Sequence, residues 1–243
     1  MIWLNKELEI HIGKLQTRAM LSLVASISTV ISIIFGIALI FVPSFVAIIF
    51  LAIAAIGIIY LIYSSRAAKK EAKENTYNPV KFNADKNLSF DEIINILENL
   101  TDKENRLSTS EDVRFFRLNK IFRLRTIIYR TDYFVKKEFD NAKDRINKKA
   151  NKEFKISQWV NRMEAGSMMR FNIIHTDTLN DALYKFISKN ANRNLTRVEG
   201  IINIAIIGNQ IIVPPLYGEC DLAEISRYVD AIRFINQVLL NND

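Results

Sequence analysis

The chain is poor in the residues that most often carry chemistry. It has one cysteine, Cys220, so no internal disulfide can form. Its two histidines, His11 and His175, show no Cys/His spacing of a metal site. Seven glycines and four prolines in 243 residues include no P-loop, no Gly-x-Gly-x-x-Gly turn and no nucleophile elbow. Neither a cofactor nor a metal is expected. Cys220, His175 and Asp177 hold the atoms of a nucleophile and a base. A cysteine beside a helix start and a histidine ending a strand are more ordinarily structural, so the chain reads as a non-enzyme.

A second absence is local. Residues 20–63 contain no charged residue, while the whole chain carries a net charge of +7. About 20 apolar residues cross the hydrocarbon core as a helix. Residues 20–42 supply one such span and 45–63 a second, joined by the helix-breaking turn Val42-Pro43-Ser44. So short a turn joins antiparallel neighbours. The apolar run is too long for a signal peptide, whose hydrophobic region spans roughly 7–15 residues. Lys6, Lys14 and Arg18 precede it, and Arg66, Lys69, Lys70 and Lys73 follow. The positive-inside rule then puts both flanks in the cytosol. The expected location is the cell membrane, with two spans and cytosolic termini. Ser22, Ser26, Thr29 and Gly36 on the first span, and Ala47, Ala54 and Ala55 on the second, are small enough for close helix packing.

The expected organisation is a cytosolic amphipathic segment over 1–19, a transmembrane hairpin over 20–63, a polar stalk over 64–78 and a cytosolic domain over 79–243. In that domain Ser89 and Glu92 form a capping box opening a helix to about Leu100. Residues 101–110 read as a polar loop. Strands are expected over 113–119 and 122–129. A helix capped by Thr131 or Asp132 runs to about Phe154, with Phe139, Ala142, Ile146 and Ala150 on one face. A strand over 169–175, a helix over 178–191 and a buried strand over 201–207 follow. Gly208-Asn209 turns into a short strand, and Asp221 caps the last helix. The fold class is an N-terminal transmembrane α-helical hairpin plus an α+β cytosolic domain, with a mixed sheet covered by helices and no regular βαβ rhythm.

What is abundant is positive charge in one segment. Residues 112–155 hold fourteen Lys and Arg against six Asp and Glu, more excess than the whole chain shows. The cations alternate with aromatics. Arg114, Arg117, Lys120, Arg123, Arg125, Tyr129 and Arg130 come from the strands, and Lys136, Lys137, Lys143, Arg145, Lys148 and Lys149 from the helix. Lys152 and Tyr133 lie in the same segment. Arg123 and Arg125 alternate with Phe122 and Leu124 and are expected on one exposed strand face. Two readings stand open. One is a solvated basic face near an anionic leaflet, with the aromatics in the core. The other is a platform for single-stranded RNA or DNA, in which cations track phosphates and aromatics stack on bases.

The N-terminal hydrophobic anchor, the basic cytosolic domain with its Arg-Phe-rich segment at 114–125 and the Ile/Asn/Lys-heavy composition resemble lactococcal membrane-anchored abortive-infection proteins of the AbiP type. That resemblance implies a bacterial antiviral defence protein that binds nucleic acid beside the membrane. The expected function is therefore a membrane-anchored domain binding single-stranded nucleic acid without strong sequence preference. The alternatives are a membrane-tethered protein-interaction or signalling domain, and an effector whose hairpin oligomerises and permeabilises the membrane. The expected partners are single-stranded nucleic acid, the bilayer and further copies of the chain.

Overall fold

A computed structural model describes residues 6–39, 45–74, 78–118, 124–154, 168–189, 191, 195 and 199–240. The chain forms two compact units. One holds residues 4–75 and 217–225, the other 76–216 and 226–243.

The first unit is built on two long helices, α1 (Lys6–Leu39) and α2 (Phe45–Glu74). Both are long and apolar enough to cross a membrane, and only 17% of each apolar window is buried. The 34 residues of α1 extend about 51 Å at 1.5 Å per residue. The expected segment over 1–19 is no separate element where it is described. Residues 6–19 continue without a break into the apolar span, because no proline lies before residue 39 and the helix runs through both Gly13 and Gly36. The expected stalk likewise continues α2 as far as Glu74.

The two helices run antiparallel. Ser22 Oγ lies 3.3 Å from Ser64 Oγ, and the Phe35 and Phe50 rings stack at 5.3 Å. Gly57 abuts Thr29 so closely that an added Cβ would overlap its hydroxyl. Thr29, Ser32, Ala54 and Ser64 are buried, so small residues do form the contact face. Ala55 is exposed, and the side chain of Ala47 lies outside the described residues. Toward the charged flanks Arg18 bonds Glu71, and the His11 ring packs on Tyr217 at 4.5 Å.

The second unit holds a seven-stranded mixed sheet in the order β1-β7-β6-β5-β4-β3-β2. Its strands are β1 (Val80–Asn83), β2 (Arg106–Ser110), β3 (Val113–Leu118), β4 (Leu124–Arg130), β5 (Met168–His175), β6 (Glu199–Ile207) and β7 (Gln210–Val213). Its helices are α3 (Phe90–Asn99), α4 (Lys136–Glu153), α5 (Asp181–Ile187) and, from residue 226 on, α6 (Leu222–Phe234), which ends in π-helical turns over Ile235–Leu240. β4, β5 and β6 pair in parallel. Two successive strand–helix–strand crossovers, through α4 and α5, therefore exist where no such rhythm was expected.

Helices cover both sheet faces. α4 and α5 enclose Phe115, Ile127, Ile174, Ala205 and Ile212 on one. On the other, Phe171 stacks on Phe234 at 4.8 Å, and His175 meets the Leu88 carbonyl at 3.0 Å. Burial on both faces explains the near-continuous apolar run of β6.

Local signals hold at several ends. Ser89 and Glu92 make the capping box of α3. Gly208 turns β6 into β7 with φ 59, a left-handed conformation that glycine adopts without strain. The Glu224 amide bonds the Asp221 carboxylate at 2.8 Å. Two differences stand out. Residues 106–110, read as loop, form edge strand β2. The N-cap of α4 is Val135, not Thr131 or Asp132, since the Thr131 hydroxyl bonds the Tyr133 carbonyl and the Asp132 carbonyl accepts from Thr176 and Thr178.

Candidate nucleic-acid interface

Strand alternation divides the basic residues between the two sheet faces. Val113, Phe115 and Arg117 of β3 share a face with Tyr129, Ile127 and Arg125 of β4, because each pair stands in register. This is the face covered by α4. Arg114 lies on the opposite face, half-buried, and donates to the Ser110 carbonyl.

Arg125 is not on an exposed face, as its alternation with Leu124 had implied. It is 7% exposed. β4 is an interior strand between β3 and β5, and both its faces are covered. Arg117 is half-buried, and its guanidinium lies 5.7 Å from the centre of the Phe154 ring. Lys120 and Arg123 lie outside the described residues.

Tyr129 is half-buried, edge-on to Phe139 at 5.6 Å. Burial pushes its phenol above the ordinary range, and the ring is not presented for stacking. Phe115, Phe116, Phe134 and Phe139 are all in the core. Among the described residues of the segment, the exposed aromatic is Tyr133, at 64%.

Arg130 bonds Asp112 at 2.7 Å and lies 4.8 Å over the Phe90 ring. The Asp112 bond raises its pKa. A groove of about 780 Å³ opens beside it, lined by Asp112, Asp132, Glu138 and Asp177 against Arg130 and Arg145. Four carboxylates facing two cations repel a phosphate chain, so this groove is not its path.

On α4, Lys136 and Lys143 both bond Asp140. Burial pushes the Asp140 carboxyl up, but these two bonds outweigh it and hold it below the usual carboxylate range. Lys149 donates to the Ser108 carbonyl at 3.0 Å and lies 3.7 Å from Glu153. Surface pairs of this kind contribute little to stability.

Lys137, Arg145, Lys148 and Lys152 are exposed. At 3.6 residues per turn they fall within roughly 80° of arc, a stripe opposite the buried Phe139, Ala142, Ile146 and Ala150. Asp144 and Glu138, both exposed, border that arc, one on each side. The helix thus divides into an apolar face that holds it to the sheet and a basic face turned to water. Of the cations expected at the interface, the structure gathers Lys137, Arg145 and Lys148 on that face, and Lys152 joins them.

Arg170 was missed. It stands in register with Arg125, as Arg125 does with Arg117. The spacing within one strand does not reveal which strands pair, so nothing along the chain pointed to this row.

Burial, with Glu224 and Asp221 nearby, pushes the Cys220 thiol up to about 12, so it is protonated at neutral pH, when only the thiolate is a strong nucleophile. Among the described residues no group of His, Cys, Asp and Glu is arranged to hold a metal. Compared with protein-family models, with curated proteins and with solved structures, the chain matches none.

Proposed function

We propose that this is a membrane-anchored protein whose sheet domain binds nucleic acid in the cytosol. In this reading α1 and α2 cross the bilayer as a hairpin, with residues 6–18 and 66–74 on the cytosolic side. Lys6, Lys14, Arg18, Arg66, Lys69, Lys70 and Lys73 support that orientation through the positive-inside rule. The apolar surface of the hairpin supports insertion, since such a surface left in water would be a large association site.

The observation that carries the nucleic-acid reading is the basic stripe of α4. Four exposed cations spaced along about four turns match a chain of phosphates and read no base, so the binding is without strong sequence preference. Tyr133 supplies one stacking surface, which favours single strands. The resemblance to AbiP-type proteins supports a role in phage defence.

Anisotropy of a labelled single-stranded RNA and DNA, and of duplex DNA, with the full chain in detergent micelles tests this reading. Flotation with vesicles containing phosphatidylserine runs beside it. Retention of single strands at ~50 mM salt, where phosphate contacts are strong, supports it. Flotation without retention assigns the stripe to lipid headgroups.

A further inference from the structure

The groove of about 780 Å³ beside Arg130 is built wholly from the sheet domain and opens outside the carboxyl ends of β4 and β5. Ligands of open sheets with parallel strands enter at that end, and the volume is within the range of small-ligand sites. Asp132, Glu138 and Asp177 line it, and none has an ion pair or a side-chain hydrogen bond among the described residues. Asp112 is already bonded to Arg130. Among the described residues these carboxylates form no group that could hold a metal ion. They are spread around a space whose lining also includes the buried, apolar Val113 and Ala142. Arg145 lines the same space, and it is also one of the four cations of the α4 stripe. Glu138 borders that stripe about two turns before Arg145 on the same helix. The groove is therefore continuous with the basic surface.

We propose that this groove receives one base of the strand whose phosphates follow the α4 stripe, and that it prefers guanine. The inference rests on the nucleic-acid reading of that stripe. An ionised carboxylate only accepts hydrogen bonds, so the groove repels phosphate but takes the N–H donors of a base edge. Guanine presents two adjacent donors on its Watson–Crick edge, N1–H and the N2 amino group, and these match the two oxygens of one carboxylate. Such charge-assisted pairs are the strong ones. Adenine and cytosine set one amino group beside a ring nitrogen that is itself an acceptor. Uracil sets one N–H between two carbonyl oxygens. Both arrangements put lone pairs against the carboxylate. Glu138 is the carboxylate assigned to the guanine edge, because it lies beside Arg145 and has no partner of its own. The exposed Asn141 and the guanidinium of Arg130, which also line the groove, supply donors for the guanine O6 and N7 acceptors. Phosphate contacts position a strand and base contacts specify it. Arg145 does the first and Glu138 the second.

Anisotropy with the full chain in detergent micelles tests the proposal. The probes are a labelled oligouridylate and the same oligomer with one central guanosine, adenosine or cytidine. The guanosine oligomer should bind at least about fivefold more tightly than oligouridylate, and the other two within about twofold of it. In Glu138→Ala the guanosine preference should shrink to within about twofold. Oligouridylate itself should bind that variant no more weakly, because a charge that repels phosphate is gone. Glu138→Gln carries the comparison if Glu138→Ala is not recovered with a native circular dichroism spectrum. Its amide sets a donor against the two donors of guanine, so the preference should shrink likewise. Equal binding of all four oligomers by the wild type overturns the proposal and leaves the α4 stripe standing. A preference for adenosine or cytidine also overturns it, as does a guanosine preference unchanged in a folded variant. Wild-type chain that retains no oligomer at ~50 mM salt removes the stripe reading and the base groove with it.

Discussion

The hydroxyl of Thr29 occupies the space that a side chain on Gly57 would need. Gly57→Ala is tolerated if Thr29 turns to another rotamer, whereas Gly57→Leu pushes the helices apart. Small residues permit close approach in lipid and large ones remove it. Cysteines at Ser22 and Ser64, whose hydroxyls are 3.3 Å apart, report the difference by oxidative cross-linking. The leucine variant should cross-link several-fold more slowly. Equal rates would mean that Gly57 does not set the packing.

The orientation of the hairpin is read by labelling. In a Cys220→Ser background, single cysteines at Ser44 and Asn75 should react with an impermeant maleimide from opposite sides of the membrane. Reaction of both from outside contradicts the orientation.

Cys220 supplies a pH prediction. Its folded pKa is raised, to about 12, from an ordinary value of 9.0. The neutral thiol is therefore favoured in the folded state. The corresponding stability is fully present below about 9 and is lost as pH climbs from there toward 12. Tyr129 and Tyr217 are shifted in the same direction by burial. The comparison that isolates the thiol is Cys220→Ser, whose melting temperature should fall less steeply above pH 9 than wild type. Parallel curves would remove the buried-thiol account. Maleimide should also label the folded wild type far more slowly than the unfolded chain at pH 7.

Arg125 and Tyr133 should separate packing from binding. Arg125→Ala removes a buried side chain and should destabilise the domain by roughly 1–3 kcal/mol, read by denaturant melts, with little effect on the salt dependence of nucleic-acid binding. Tyr133→Ala should leave stability unchanged, because the ring is exposed. It should weaken single-strand binding by about 1–3 kcal/mol if the ring stacks on a base. The opposite pattern would place the interface on the strands.

Local chemistry was readable and long-range pairing was not. The Ser89–Glu92 box, the Gly208 turn and the Asp221 cap announce themselves through residue types at fixed spacing. So does the α4 periodicity that sends Phe139 and Ile146 inward and Lys148 outward. β2 escaped notice because an edge strand needs no apolar face, and Arg106, Ser108 and Ser110 read as loop. β1 is only four residues long. The parallel pairing of β4 with β5 joins residues more than forty positions apart, such as Arg125 and Arg170. That pairing is what buries Arg125 and assembles the arginine row. Alternation along a single strand reveals faces but not which of them a helix covers.

The central claim is that the α4 stripe holds nucleic acid by its phosphates. Each phosphate contact to a single strand adds about 0.7 to the slope of log affinity against log salt. Four cations predict a slope of roughly −2.8 for the full chain. Replacing Lys137, Arg145, Lys148 and Lys152 together by Gln should bring it close to zero while the domain stays folded. A folded quadruple variant that keeps the wild-type slope, or a wild-type chain with no retention of single strands at ~50 mM salt, would contradict the account.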